Sequence, residues 1–205
     1  DANIRDNQIA ADFEWVDGYL HAPAGEVDKR AIDELRAEAD RARELGFDAE
    51  FMDRVPLTGL PGVRYLNQAR IHPRKYLAGV ADALVSAGGR IFEHAEVAEF
   101  TKSPMKVRVG DHWVACENVV IATHNPIVGM AGFLGSTLLQ TKLALYTSYV
   151  ICGRVPRNSV PDALFSDTGE PYDYLRIDAH RDHDVVIFGG EDHKTGQADD
   201  TRKCF

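Results

Sequence analysis

Short alternating runs of apolar residues at both ends of the chain predict β-strands. Each run is rich in aromatic and β-branched residues, and turn-forming residues separate the runs. They lie at 13–20, 63–67, 142–152, 162–167, 172–178 and 184–191. The short AHRDH segment between the last two has the length of a loose hairpin connection. The pattern predicts antiparallel strands at both ends of the chain.

Two segments have the period of an amphipathic helix. The first follows Gly25 and stops at Gly46, with charged residues opposite its apolar face. That face comprises Ile32, Leu35, Ala39, Ala42 and Leu45. The second begins at His72-Pro73, where proline fits the first helical position, and Gly88-Gly89 end it. Its apolar face comprises Leu77, Val80, Ala81, Leu84 and Val85.

Between the second helix and the last strands, the pattern predicts further β-structure. Arg90–Phe92 is predicted to be a buried strand. A compact β-meander follows from Val97, and its hairpin turn is Gly110-Asp111. The apolar run Glu117–Thr123 predicts a strand buried on both faces, which Asn125-Pro126 would end. An irregular loop is predicted over 127–140.

Composition narrows the class of protein. The chain has 44% hydrophobic and 27% charged residues, as soluble globular proteins do. Its net charge of −9, without a cluster of basic residues, argues against a nucleic-acid partner and against an anionic membrane surface. Three widely spaced cysteines predict reduced thiols in a cytoplasmic protein. The chain lacks an initial methionine and ends just after a strand-like run, so both ends look cut.

The order of elements from 67 to 124 resembles the second half of the cofactor domain in the D-amino-acid oxidase and glycine oxidase superfamily. The matching residues are IHPRKYLAGVADALVSAGGRIFEHAEV, the meander and NVVIATHNP. The resemblance implies an α+β fold and an FAD cofactor. It also implies a substrate-capping antiparallel sheet from 1–66 and 127–205, and part of the FAD-binding sheet from 67–126. Within the superfamily, VDGYL and ATHNP resemble the branch with a C-terminal iron–sulfur (Rieske) domain.

The same resemblance implies a set of cofactor-binding residues. Val97 would contact the adenine through its backbone, and Ala122, Thr123 and His124 would line the nucleotide cleft. A strand end at a crossover of such a sheet is where ligands bind. An ordinary strand end with local hydrogen bonds is the alternative reading of these residues.

Candidate substrate-binding residues lie on the predicted capping sheet. Tyr174 and Arg176 are two apart on one strand and share a face, so the arginine could bind a substrate carboxylate beside an aromatic wall. Arg64 and Tyr65 are a second pair of this kind. Gly189 and Gly190 resemble the family's Gly-Gly strand end, which faces the flavin ring. A solvent-facing position on the sheet is the alternative for Tyr174 and Arg176.

A metal site is not predicted. His180, His183 and His193 lie near several carboxylates, but no cysteine accompanies them, and a solvated polar loop is the expected reading of the first two.

One departure from the family pattern affects the expected activity. A dinucleotide fold needs G-x-G-x-x-G between a strand and a helix, and the chain has none; GMAGFLG at 129–135 has the wrong spacing. We therefore expect a fragment of an FAD-dependent oxidoreductase that oxidises a C–N bond of an amine or amino acid. It would be inactive alone, and its partners would be that small-molecule substrate and the missing N- and C-terminal parts of the same protein.

Two rival functions remain open at this point. A stand-alone, non-catalytic ligand-binding or interaction module could keep the same scaffold. An oxidoreductase that uses NAD(P)H is a third possibility, although it would need a second glycine fingerprint that this stretch lacks.

Overall fold

The computed structural model describes residues 1–25, 27–123 and 145–195, which belong to two compact units. One unit combines Asp1–Ala83 with Tyr146–Phe205, and the other is Leu84–Leu145. Along the described ranges the elements are α1 (Ala2–Asp6), β1 (Glu14–His21), α2 (Lys29–Glu44), β2 (Ala49–Met52), β3 (Gly62–Arg70), α3 (Pro73–Ser86), β4 (Val97–Lys102), β5 (Met105–Val109), β6 (His112–Ala115), β7 (Tyr146–Pro156), β8 (Ala163–Asp167), β9 (Tyr174–Ala179) and β10 (His183–Lys194). The predicted α+β class is confirmed. No helix in these ranges is long and apolar enough to cross a membrane.

A seven-stranded sheet forms the first unit, in the order β2-β3-β1-β8-β9-β10-β7. The prediction of a purely antiparallel sheet is wrong at one place, because β1 and β8 run parallel. β1 pairs with β3 along one of its two edges, and the other edge of β1 is available to a further strand. β8, from the far end of the chain, occupies that edge in the same direction and so joins the two groups of antiparallel strands into one mixed sheet.

Helix α2 covers one end of the sheet. The Asp28 carboxylate caps it by accepting a hydrogen bond from the Ala31 N–H at 2.8 Å. Gly46, the predicted stop, follows the helix with φ +89°. The predicted apolar face packs through Leu35, Ala39 and Ala42 on the sheet. Leu45, at the helix end, is 61% exposed.

The other face of the sheet carries a second, smaller core. It consists of Val55, Ala163 and Phe165, with Tyr19 stacked on Phe165 at 5.2 Å between ring centroids. Successive side chains of a strand point to opposite faces, so Tyr19 lies on this face while Leu20 lies under α2. The two faces of the sheet therefore present different environments.

Gly62, at the start of β3, is closely surrounded. A Cβ at this position would lie 2.6 Å from the Leu20 carbonyl oxygen and 2.6 Å from a methyl group of Val55. We expect Gly62→Ala to lower the free energy of unfolding of the full-length protein by about 1–3 kcal/mol, because backbone cannot move aside cheaply. Urea denaturation would measure it. Gly153→Ala is the matched control, since no atom lies within 4 Å of that Cβ position; an equal loss in both variants would refute the packing argument.

Helix α3 begins at Pro73, as predicted, but none of its side chains is buried. Its predicted apolar face is open: Leu77 is 64% exposed and Val85 is 54% exposed. The helix instead approaches the N-terminal segment through Gly79, where a Cβ would collide with Ile9. Lys75 adds an ion pair with Asp12 at 2.5 Å.

The second unit contains the predicted meander, β4-β5-β6, with Gly110 in a left-handed conformation at its turn. Two other predictions here are wrong: neither Arg90–Phe92 nor Glu117–Thr123 is a strand. Phe92 is 73% exposed and Val120 is 86% exposed. A strand buried on both faces needs neighbouring strands and a covering layer on each side, and the described part of the chain supplies neither. The predicted loop at 127–140 and residues 142–144 lie outside the described residues.

Candidate functional site: a cleft on the seven-stranded sheet

A cleft of about 570 Å³ lies on the sheet face that carries α2. Strand register explains which side chains reach it: Gly18 is opposite Leu164, and Leu164 is opposite Arg176, so these positions share one face. The side chains that matter for its chemistry are Tyr65, Gln68, Ser166, Tyr172, Tyr174 and Arg176. Three of the predicted substrate residues are therefore brought together.

Arg176 is half-buried and forms no hydrogen bond or ion pair with any described residue. Other arginines in the described ranges that lack such partners are all exposed to water. A guanidinium offers five donors and is always charged, so its removal from water without a partner is costly. The arrangement fits an anionic ligand, and a carboxylate matches its geometry.

Aromatic rings form the walls around this charge. The rings of Tyr172 and Tyr174 lie 6.2 Å apart between centroids, and the hydroxyl of Tyr65 donates to Glu38 at 2.8 Å. Burial of the phenol, followed by its bond to Glu38, raises the pKa of Tyr65. Tyr65 is therefore neutral, and its hydroxyl proton is already donated to Glu38.

Gly189 and Gly190 make room for their neighbours. A Cβ at Gly189 would collide with the ring of Tyr174, and one at Gly190 would collide with the carboxylate of Asp173. The absence of side chains at the two glycines therefore leaves room for Tyr174 and Asp173. Their contact with substrate stays a prediction.

Arg64 lies on the opposite face from Tyr65, because the two are consecutive in β3. Its guanidinium donates to Asp17 at 2.7 Å and 2.9 Å and to Glu50 at 3.1 Å. Two carboxylates thus already neutralise it, and it does not line the cleft.

The predicted cofactor residues lie in the second unit. Val97 begins β4 and is half-buried, whereas Ala122 and Thr123 lie in the exposed segment before residue 124. His124 lies outside the described residues. Their role toward a nucleotide stays a prediction.

Sequence reasoning missed Gln68 and Tyr172. Gln68 is three residues after Tyr65, so strict alternation assigns the two to opposite faces, yet both line the cleft. The available signal in the sequence was the asparagine at 67, because asparagine tolerates a left-handed conformation better than most residues. In the structure the φ of Asn67 is +57°.

A second, smaller cleft of about 410 Å³ lies on the opposite face, next to Asp167 and Asp173. Burial raises the pKa of Asp173, and the negative charges of Asp167 and Glu191 raise it further. The ionised Asp173 thus opposes folding.

We expect Asp173→Asn to raise the free energy of unfolding at neutral pH. In the wild type the raised pKa lets the folded state hold a proton that the unfolded state has lost, so this destabilisation appears as the pH rises from 3.8 through the raised pKa. The gain should vanish below pH 3.8, where both states are protonated. Denaturation curves at several pH values would measure it.

Asp12→Asn is the control of opposite sign, because a hydrogen bond from Lys75 lowers the pKa of Asp12. This variant should lose stability at neutral pH. A gain for Asp173→Asn that persists at low pH would contradict the electrostatic cause.

The histidines do not form a metal centre in the described part of the chain, where no group of three ligands is close enough. His180 and His183 stack at 4.8 Å between centroids, and each lies beside an aspartate, Asp178 and Asp182 respectively.

Comparison with known proteins establishes the family. The model of the DAO family, FAD-dependent oxidoreductases, matches residues 2–203. The chain belongs to this family. A Bacillus subtilis relative, named as a putative Rieske 2Fe-2S iron-sulfur protein (YhfW), is 24% identical over 200 residues. That match covers 95% of this chain and 37% of the relative.

Solved structures share the fold of this DAO-family chain. L-proline dehydrogenase from P. horikoshii superposes with a TM-score of 0.68 at 14% identity, covering 97% of this chain and 54% of the other. Glycine oxidase from Geobacillus kaustophilus gives 0.64 at 15% identity, covering 96% and 53%. L-amino acid deaminase from Proteus myxofaciens gives 0.60 at 15% identity, covering 91% and 44%. The chain therefore spans about half the length of these proteins, and less of the curated relative.

DAO-family proteins depend on FAD, whose pyrophosphate usually binds at a free helix N-terminus. Neither long helix in the described ranges offers one. Asp28 already occupies the N-terminus of α2, and Nδ1 of His72 accepts from the Lys75 N–H at the start of α3, at 3.4 Å. These residues do not fit the pyrophosphate.

Proposed function

We propose that this chain is the substrate-binding part of a DAO-family enzyme that oxidises a C–N bond of a carboxylate-bearing amine, such as an amino acid. The observation that supports this most directly is the half-buried guanidinium of Arg176, which lacks a partner among the described residues. It lies in a cleft with aromatic walls, where a bound carboxylate would gain two parallel charged hydrogen bonds.

The reaction proposed for the whole protein is an amine oxidation, in which a C–N single bond becomes an imine. When bound by the whole protein, FAD would supply the two-electron oxidation of the substrate's C–N bond. This chain's part is to bind and orient the substrate: Arg176 fixes the carboxylate, while the tyrosine rings exclude water from the apolar part. Glycine oxidase and L-amino acid deaminase, named for such activities, support this substrate class.

Anaerobic mixing of the full-length protein with a panel of amino acids and amines tests the proposal. We expect at least one carboxylate-bearing amine to bleach the flavin's visible absorbance, and the same amine without its carboxylate to do so far more slowly. Bleaching that is equally fast without the carboxylate would contradict the role of Arg176, and a full-length protein that retains no flavin would contradict the whole proposal.

We also propose that the 205-residue chain alone does not retain FAD. The occupied helix N-termini and the missing G-x-G-x-x-G support this. Equilibrium dialysis should detect FAD binding by the full-length protein and none by this chain. Tight binding by the chain alone would refute the proposal.

A non-catalytic binding module is the second candidate, favoured by the missing G-x-G-x-x-G and by the lack of a free helix N-terminus among the described long helices. It predicts carboxylate binding to the full-length protein without flavin or turnover.

The curated relative supports a proposal about the electron acceptor. Because it is named as a putative Rieske protein, we propose that the whole protein passes electrons from flavin to a 2Fe-2S cluster. Electron paramagnetic resonance of the substrate-reduced full-length protein should detect the reduced cluster; its absence would contradict this.

We propose a cytoplasmic location, because the three cysteines of the sequence are odd in number and widely spaced. Cell fractionation would test this location.

A further inference from the structure

The pairing of β1 with β3 contains a β-bulge at the edge of the cleft. Tyr65 pairs with Gly18 and Gln68 pairs with Val16, so β3 has one residue more than β1 between the same two pairs. Asn67 takes up the extra residue with its φ of +57°. The bulge turns Gln68 to the same face as Tyr65, where regular alternation would have turned it away.

Gly18 provides the space for the redirected side chain. A Cβ at Gly18 would lie 2.9 Å from Cγ of Gln68, closer than such atoms approach in proteins. Gln68 thus lies directly over a residue without a side chain. The position of the Gln68 amide in the cleft thus depends on three features: the bulge, the left-handed conformation of Asn67 and the space above Gly18.

The orientation of this amide follows from its one hydrogen bond. Its Nε2 donates to the Leu66 carbonyl oxygen at 3.3 Å, and since a carbonyl can only accept, nitrogen and not oxygen must face it. Oε1 remains an acceptor with no donor among the described residues. The cleft thus combines a pure donor, Arg176, with an open acceptor, Gln68.

We infer that Gln68 is a specificity-determining residue that selects carboxylate-bearing amines with a further hydrogen-bond donor besides the amine, such as a hydroxyl or amide N–H. This inference rests on the proposed function, because Arg176 must hold the carboxylate. A ligand with a methyl group at that place would leave Oε1 desolvated and unpaired, and sites built to bond a polar group discriminate strongly against such analogues.

Calorimetric binding of threonine and valine to the full-length protein tests the inference. The two amino acids have nearly the same shape and differ by a hydroxyl and a methyl group. We expect threonine to bind at least about tenfold more tightly. Gln68→Met keeps the length of the side chain but removes the amide. We expect it to bring the ratio close to one, because threonine loses its hydrogen bond and valine no longer leaves Oε1 unpaired.

Gly18→Ala is a second variant that leaves the glutamine in the sequence but displaces it. We expect the threonine preference to fall here too. Circular dichroism of both variants checks that they fold, and the ratio of two affinities is insensitive to a partial loss of folded protein.

The outcomes distinguish the role of Gln68 from carboxylate binding by Arg176. If both amino acids bind equally to the wild type, or the preference survives in Gln68→Met, the role of Gln68 is refuted while carboxylate binding stands. If neither amino acid binds, the predicted threonine preference is refuted, and the panel of amines separately decides the proposed function.

Discussion

Replacing Arg176 with leucine should lower the affinity of the full-length protein for its carboxylate substrate by about 100-fold or more. Each hydrogen bond to a charged group contributes about 1.5–3 kcal/mol, and a guanidinium can donate two in parallel to one carboxylate. Since 1.4 kcal/mol corresponds to tenfold, the loss of both bonds gives at least this factor. Titration of the flavin absorbance with substrate would measure it.

Two variants control for charge and for folding. Arg176→Lys keeps the charge but not the planar pair of donors, so we expect it to recover only part of the affinity. Arg181→Leu removes an exposed arginine that lies in the β9–β10 connection outside the cleft, and it should change nothing. If both leucine variants weakened binding equally, the general charge of the protein, and not the cleft, would be responsible.

Replacing Asp162 with alanine should destabilise the full-length protein by about 1–3 kcal/mol, less than for a fully buried pair because the Asp162 side chain is 42% exposed. Arg70 is only 8% exposed, and its guanidinium donates to both carboxylate oxygens of Asp162, at 3.0 Å and 2.9 Å. Loss of the carboxylate leaves a buried positive charge without its partner. The midpoint of urea unfolding, followed by far-ultraviolet circular dichroism, would report the loss.

The double variant Asp162→Ala with Arg70→Leu distinguishes the effect of an unpaired buried charge from the effect of lost packing. Because it removes the buried charge as well, we expect it to recover most of the stability. Glu34→Ala breaks the exposed Arg30–Glu34 pair at 2.8 Å and should leave the stability almost unchanged, because water screens such a pair. A double variant as unstable as Asp162→Ala would show that the charge is not the cause.

Local patterns predicted those elements whose burial depends on nearby chain. Helix α2 has its apolar stripe and its final glycine within one continuous segment, and the strands of the meander pair across short turns. The strand predictions were wrong for the opposite reason at Arg90–Phe92 and Glu117–Thr123. Their apolar composition indicates burial, but a strand also needs partners, and sequence alone does not show whether the chain supplies them.

The candidate site was predictable only in part, for related reasons. Alternation along β9 correctly assigned Tyr174 and Arg176 to one face, and they share the cleft with Tyr65. It could not show that Arg64 is neutralised by Asp17, which is 47 residues away. Nor could it show that a bulge would turn Gln68 into the cleft, because one extra residue inverts the facing of all that follows.

The parallel contact between β1 and β8 has a consequence for how the protein is made. It pairs Asp17 with Ala163, so the sheet cannot close until the ribosome has released β8. Until then, β1 waits with one unpaired edge, and such an edge readily pairs with other chains. Contacts between distant residues also form slowly. Aggregation during synthesis is therefore the characteristic risk of this fold, and slower translation before β8 would prolong it.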